Sequence, residues 1–420
     1  ALSTVPCVEE NNEPFWYTPN AKVHITQYKN WREVAQKIAP LYSLSKDLKT
    51  SVPPEMTNLI EKWKEVADDP IEQATLALRF VQDEIRYQGL EDGIGAFKPT
   101  DPWIILERRF GDCKDKSFLL HTLLKFLDIE STFVLVNSNN GKNIPNRLPN
   151  PSFFNHVVLK ISINGENYWV DPTMRLQGGN LVDNYFPGFE WGLSLSEELN
   201  GLIQLPQEVI KKPTEIETSI HAKTPDFVEM VIETTRYGGR ADHFRSRAEN
   251  IGLNNFFDNN LRKLKRKYGT VNRLSPISVS DDRANNIFVT KESFMIPTKT
   301  QSGKKIFKTH SFVFTERLDD NLTSDRACPY AISYPLWVKE HITLVNPYGN
   351  EASESDELKV ENSSFRYFYT YHHEGEHTEI TYEIKHLEDH IPTELINAYW
   401  NGLDEIKSRN IDEIAIFVPK

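Results

Sequence analysis

Between Cys113 and Asp128 the apolar residues Phe118, Leu119, Leu123, Phe126 and Leu127 recur at helical spacings, and Leu120 and Leu124 widen the face, so the pattern predicts a largely buried helix. Trp31 to Tyr42, Pro54 to Ala67 and Ile71 to Tyr87 read as further helices, the last with Ile71, Thr75, Leu78, Val81 and Ile85 near one stripe. The pattern then changes period. Ser131 to Ser138, Phe154 to Ile163 and Asn167 to Asp171 are rich in β-branched and aromatic residues and read as strands of an antiparallel sheet packed on the buried helix. Helices first, strands after, make this an α+β core.

The second half is dominated by alternation. Phe227 to Thr235, Asn286 to Thr290, Lys308 to Thr315, His341 to Val345, Phe365 to His373 and Glu379 to Lys385 are predicted strands. Ala241 to Tyr268 and Thr393 to Ser408 are predicted helices. A β-sandwich-like accessory domain over 214–420 is the expected outcome. Gln204 to Pro213, with two prolines and two lysines, is the expected linker from a 31–205 domain. Residues 1–30, with several prolines and a short predicted strand from Lys22 to Thr26, read as the remnant of a preceding β-rich domain.

The candidate chemistry sits where the buried helix begins. Asp112 is a good N-cap and Asp115 follows three residues later, an arrangement like a capping box with Asp in place of Glu. Cys113 then takes the first helical position, where unsatisfied N–H groups and the helix dipole favour a thiolate, the nucleophilic form. Asn164-Gly165 is a strong signal for a two-residue hairpin turn. If Ile163 pairs with Glu166, the register sets Asp171 opposite Val158, on the face that Val158 shares with His156. His156 and Asp171 are then diagonal neighbours with backbones about 7–8 Å apart, within side-chain reach. A base that takes a thiol proton works best when a carboxylate orients its ring, and Asp171 fits that role for His156.

The run Tyr87 to Lys116, with Gly93, Gly95, Pro99, Arg108-Arg109 and Gly-Asp-Cys-Lys-Asp-Lys, followed by Phe-Phe-Asn-His-Val-Val-Leu and Tyr-Trp-Val-Asp-Pro-Thr, resembles the transglutaminase-like superfamily of papain-like thiol folds. Its bacterial branch, in which this core follows a β-rich domain of the DUF3857 type, is the most similar. The resemblance covers about residues 60–190. It implies that Cys113 forms a thioester, that His156 is its base and that Asp171 orients the histidine. An oxyanion hole is then required, with the backbone N–H of Cys113 as one donor and Tyr87 or Gln88 as candidate side-chain donors. The expected activity is acyl transfer on amide bonds, as a cysteine protease or amidase or as a protein transglutaminase, with hydrolysis favoured and a protein or peptide as substrate. The alternative is a catalytically silent scaffold that binds peptides or partner proteins. Relatives of this type are commonly exported or anchored in the bacterial envelope, so a periplasmic or envelope location is expected by analogy. The start at Ala1 without a methionine fits either removal of a leader or a trimmed sequence.

Composition narrows this further. A net charge of −12 argues against a nucleic-acid partner, and the basic run Arg262 to Lys267 shares its helix with a Leu261, Leu264, Tyr268 stripe, as a solvated face does. No apolar run approaches a membrane span. Three cysteines are too few for a disulfide scaffold; Cys7 and Cys328 are either a pair formed in an oxidising compartment or two isolated buried thiols. No cofactor is expected. His373-Glu374-Gly375-Glu376-His377 fits HExxH, but alternating Phe365, Tyr367, Tyr369 and Tyr371 lead into it and Ile380, Tyr382 and Ile384 lead out. That pattern places a hairpin where a zinc site needs a helix, so no metal is expected.

Overall fold

The structure is a computed structural model that describes residues 11–17, 23–43, 52–89, 95, 97–196, 200–301, 304–309, 311, 326–348, 353–408 and 414–418. Among the expected features, Gly93, Cys7, Lys22 and, in the strand expected from Lys308 to Thr315, residues 310 and 312–315 lie outside these residues; residues 23–26 are irregular rather than strand. The chain divides into two compact units, one of Asn20–Glu208 with Arg283–Asn286, the other of Ala1–Pro19, Val209–Asp282 and Ile287–Lys420. The fold is α+β with mostly antiparallel sheets.

The first unit contains α1 (Trp31–Ile38), α2 (Pro54–Val66), α3 (Pro70–Glu84), α4 (Pro102–Arg108) and α5 (Cys113–Phe126). Its strands are β1 (Arg86–Tyr87), β2 (Phe110–Gly111), β3 (Glu130–Val136), β4 (His156–Ile163), β5 (Glu166–Val170), β6 (Trp191–Leu195) and β7 (Asn200–Gln204). Strands β3 to β7 form an antiparallel sheet in the order β5-β4-β3-β6-β7. Phe118, Leu119, Leu120, Leu123 and Leu124 of α5 pack with Phe133, Leu135, Val157, Leu159 and Ile161 of β3 and β4 in one core. The opposite face of the sheet is covered by a smaller cluster of Val134, Val136, Val158, Phe189 and Leu205. Asn164 (φ 54°) and Gly165 (φ 85°) make the left-handed pair that a two-residue hairpin of this kind requires, and Ile163 does pair with Glu166.

Several expectations are corrected here. The helix read as Ile71 to Tyr87 ends at Glu84, because Ile85 turns extended and Arg86–Tyr87 pairs in parallel with Phe110–Gly111. α4 was not anticipated, although Asp101 caps it and Pro102 starts it in the usual way. The capping box is half formed: Asp112 accepts from the Asp115 N–H, but the Asp115 carboxylate turns to Thr100 and Arg108 instead.

In the second unit, β8 (Thr214–Thr224) and β9 (Phe227–Tyr237) precede α6 (Gly239–Ile251) and α7 (Leu253–Tyr268). The predicted single helix from Ala241 to Tyr268 breaks at Gly252, whose φ of 77° no helix accommodates. There follow β10 (Asn272–Arg273), β11 (Ser278–Asp282), β12 (Ile287–Pro297), β13 (Lys299–Gln301), β14 (Lys304–Thr309), β15 (Tyr330–Ala331) and β16 (Trp337–Val345). β17 (Ser353–Glu361), β18 (Phe365–Glu374), β19 (His377–His386), β20 (His390–Ile391), α8 (Ile396–Ser408) and β21 (Ile414–Val418) complete it. The main sheet runs β10-β12-β9-β8-β16-β19-β18-β17, with β11 beside β12, and only β8 and β16 run parallel in it.

This is not the expected sandwich. Each long strand buries alternate residues, Val228, Met230 and Ile232 on β9 and Ile380, Tyr382 and Ile384 on β19 among them. The core they share is completed by Leu264 and Tyr268 of α7 and by Ile396, Tyr399, Leu403 and Ile406 of α8. Helices therefore provide much of the cover that a second sheet was expected to supply.

Candidate active site

Cys113 opens α5, and the local sequence explains why the helix begins there. Asp112 is extended (φ −89°, ψ −170°), and its carboxylate accepts from the Asp115 N–H at 3.2 Å. Its second oxygen pairs with the Lys114 ammonium, and both side chains are buried. A lysine in a first helical turn opposes the dipole, so this carboxylate offsets a charge the position disfavours. On the other side Asp115 accepts from the Thr100 N–H at 2.7 Å and from Arg108 at 2.6 Å, which ties α5 to the end of α4. The cysteine itself is buried.

His156 is the first residue of β4. Its Nε2 lies 2.8 Å from Oδ2 of Asp171, one residue past the end of β5, and the imidazole is also hydrogen-bonded to the thiol of Cys113. With Nε2 committed to Asp171, Nδ1 is the ring nitrogen that remains for the sulfur. Asp171 Oδ1 accepts from the Thr173 N–H at 2.8 Å and from its hydroxyl at 2.7 Å, so both carboxylate oxygens are engaged. Phe189 lies beside the imidazole, ring centroids 5.8 Å apart.

The electrostatics follow from this geometry. Burial alone would lower the pKa of His156, but the Asp171 charge, the hydrogen bonds to Asp171 and Cys113, and the charge on Cys113 outweigh it and raise the imidazole to about 10. Burial by itself would raise the Asp171 carboxyl; the charge and hydrogen bond of His156, with the two Thr173 donors, hold it below the usual carboxylate range instead. The pair is therefore an imidazolium and a carboxylate at neutral pH. Burial pushes the Tyr42 phenol far up, and the nearby charges of Cys113, Asp112 and Asp115 push it the same way, so Tyr42 stays a neutral hydroxyl.

The structure thus brings Cys113, His156 and Asp171 together. Tyr87 and Gln88 are adjacent to them through the backbone: Tyr87 pairs with Gly111, and the Gln88 N–H donates to the Gly111 carbonyl at 2.9 Å. Their side chains differ from an ideal oxyanion donor. Tyr87 is 48% exposed, and the Gln88 carbonyl oxygen accepts from Arg86.

Two polar residues were missed from sequence. Lys116 is 1% exposed, and its ammonium donates to the carbonyls of Ile85 at 2.6 Å and Gln82 at 3.3 Å, capping the end of α3. Burial lowers its pKa to about 8, against the charges of Asp171 and Asp83, which raise it; Arg175 lowers it further. Gln82 is fully buried and donates to the Asp171 carbonyl at 3.0 Å. Both sit in helices at positions that periodicity alone reads as polar face; only their place beside the apolar stripe hinted otherwise.

His373 and His377 lie in β18 and β19, flanking a turn in which Gly375 has φ 58°; Glu374 pairs with His377 and His373 with Thr378. His373 Nδ1 is 2.9 Å from the Thr378 hydroxyl. Among the described residues no three His, Cys, Asp or Glu side chains gather as a metal-binding cluster, and no helix is long and apolar enough to cross a membrane. Cys328 is buried, and Cys7, which the sequence leaves as either its pairing partner or a second isolated thiol, lies outside the described residues.

No family model matches this chain, and no curated protein matches it. Among solved structures it is similar to a crystal structure from Parabacteroides distasonis described as a "putative protease", with a TM-score of 0.51 and 11% identity. The match covers 93% of this chain and 59% of that one, so the present chain spans less than two thirds of its neighbour's length. At this identity the likeness is one of fold.

Proposed function

We propose that this protein is a thiol-dependent acyl-transfer enzyme acting on amide bonds, with Cys113 as nucleophile, His156 as general base and acid, and Asp171 as the group that orients the histidine. The observation that carries the reading is the contact chain from Asp171 Oδ2 to His156 Nε2 at 2.8 Å and on from the imidazole to the thiol at a helix start. This is the arrangement the transglutaminase-like resemblance implies, and the reading takes the first unit as a core of that type.

In the proposed cycle the Cys113 proton already rests on His156 Nδ1, in keeping with an imidazole raised to about 10, and the sulfur of that ion pair attacks the substrate carbonyl carbon. The C–S bond forms, and the carbonyl electron pair moves to oxygen, toward the Cys113 N–H at the open end of α5. As the tetrahedral intermediate collapses, the C–N bond breaks and the imidazolium gives its proton to the departing amine. A thioester remains. Water resolves it in a protease or amidase, an amine in a transglutaminase, with His156 taking the incoming proton and keeping it beside the released sulfur. Hydrolysis of a protein or peptide is the favoured outcome, in keeping with the P. distasonis neighbour's description. Export to the periplasm or cell envelope belongs to the same proposal. Gln88 and Tyr87 remain the proposed side-chain donors to the oxyanion, which requires them to turn inward on substrate binding.

Iodoacetamide at pH 6–7, followed by peptide mass mapping, tests the nucleophile. Cys113 should be labelled much faster than Cys328, and Cys113→Ala should abolish turnover of acyl substrates while leaving the fold intact. Equal labelling of the two buried thiols, or turnover by the alanine variant, would exclude the reading and leave the silent-scaffold alternative.

A further inference from the structure

We infer that Gln82 is a positioning residue for the site: from the last turn of α3 its side-chain amide fixes the backbone of Asp171, and with it the aim of the carboxylate at His156. The inference rests on the reading of Asp171 as the residue that orients the histidine. Asp171 lies just beyond β5, whose last ladder pair is Val170 with Leu159, so the sheet no longer holds its carbonyl. The carbonyl instead accepts from Gln82 Nε2 at 3.0 Å and, at the longer distance of 3.3 Å, from the Met174 N–H.

A primary amide has two N–H donors, and both of Gln82's are spent on this loop. The second goes to Gln177 Oε1 at 2.8 Å. Its oxygen is taken by the Arg79 guanidinium, which also donates to the carbonyls of Gly178 at 2.7 Å and Gly179 at 3.0 Å. One fully buried side chain therefore grips the loop on both sides of the bend that follows Asp171. The same residue is held from the nucleophile's helix, since Lys116, one turn after Cys113, donates to the Gln82 carbonyl. Gln82 thus joins the cysteine helix to the aspartate loop through a continuous set of hydrogen bonds. Its amide can be satisfied in this position in only one orientation, which is what a fixed carboxylate needs.

The charged groups that act on this pair are Cys113 and Lys116 from α5; Asp83 from α3 and Arg175 from the loop act on Lys116 in turn. Gln82 is neutral and contributes no charge of its own. An effect of its replacement on His156 must therefore pass through position.

The test is NMR titration of ¹⁵N-histidine-labelled full chain, with Cys113 alkylation rates measured on the same samples. Gln82→Met keeps the volume and removes the donors. Gln82→Leu likewise removes the donors without adding a charge, so it serves if the methionine variant does not fold. In either variant His156 should titrate at least about one unit lower than in the parent, a tenfold loss of proton affinity, and alkylation near neutral pH should slow about ten- to a hundredfold. Met56→Ala, a buried change in α2, should lower the melting temperature without moving either quantity. An unchanged His156 midpoint in the folded Gln82 variants, or an equal shift in Met56→Ala, would overturn the inference. An unreactive Cys113 in a parent chain whose His156 titrates high would instead refute the proposed activity and leave the role of Gln82 standing.

Discussion

A positive charge on His156 survives burial because the Asp171 carboxylate faces it, with Cys113 acting in the same direction, and this makes the histidine sensitive to a one-atom change in Asp171. Asp171→Asn preserves volume but offers His156 a neutral partner. Under the proposed mechanism turnover should fall by about 10⁴, and the imidazole should titrate well below 10 by NMR; a loss of less than tenfold would remove Asp171 from the mechanism. The same charges set a pH dependence of stability. Because His156 is raised from 6.5 to about 10 on folding, its contribution is complete below about 6.5 and is lost as pH climbs through about 10. Lys116 has the opposite sign: lowered from 10.5 to about 8, it costs stability below about 8 and stops doing so as pH approaches 10.5. Denaturation midpoints at pH 6.5 and 10 should therefore be compared in parent and His156→Gln. The parent should lose more than the variant over that interval; equal losses would mean that His156 carries no stabilising charge. At this scale the sequence was informative where a residue advertises its setting. Cys113 behind a capping aspartate, and His156 one strand away from Asp171, could be placed by spacing and register. Gln82 and Lys116 could not, because a polar side chain inside a helix looks the same in sequence whether it meets water or a carbonyl.

The N-terminus of α5 concentrates three demands on Asp112: it caps the helix, it neutralises buried Lys114 and it precedes the proposed nucleophile. Asp112→Ala loses a cap, about 1 kcal/mol, and leaves a buried ammonium without its carboxylate, about 3–5 kcal/mol. Its denaturation midpoint should fall much further than that of Asp69→Ala, which removes only the cap of α3. Comparable losses would show that the Lys114 pair contributes nothing. The β4–β5 turn is a milder case. Gly165 has φ 85° and faces open space where a methyl group would point, so Gly165→Ala should cost only backbone strain, about 1 kcal/mol, and leave the His156 titration in place. This register was legible because the Asn-Gly turn and period-two alternation fix it jointly. The cover of the large sheet was not, since alternation reveals that a strand has one dry face without revealing whether a helix or a strand dries it. Short elements also escaped: α4 and the five-residue strands β6 and β7 hold too few turns of pattern to stand out from loop.

For the whole molecule, the proposed chemistry is carried by sulfur, and HEGEH lies on a two-stranded hairpin of the second unit. Treatment with a chelator should leave Cys113 alkylation and any acyl-transfer turnover unchanged, whereas alkylation should abolish turnover; the reverse pattern would move the active site to His373 and His377. The division into units has a different consequence. The unit that holds Cys113, His156 and Asp171 includes Arg283–Asn286, and Arg283 pairs with Asp83 at 2.5 Å and donates to the Gln177 carbonyl at 3.1 Å. During synthesis, at roughly 5–20 residues per second, Glu208 leaves the ribosome seconds before Arg283 exists. The nascent first unit must wait with Asp83 holding the Leu176 N–H but no guanidinium, and with the Gln177 carbonyl lacking its Arg283 donor, so the loop beyond Asp171 is fully braced late, after α6 and α7 have been made.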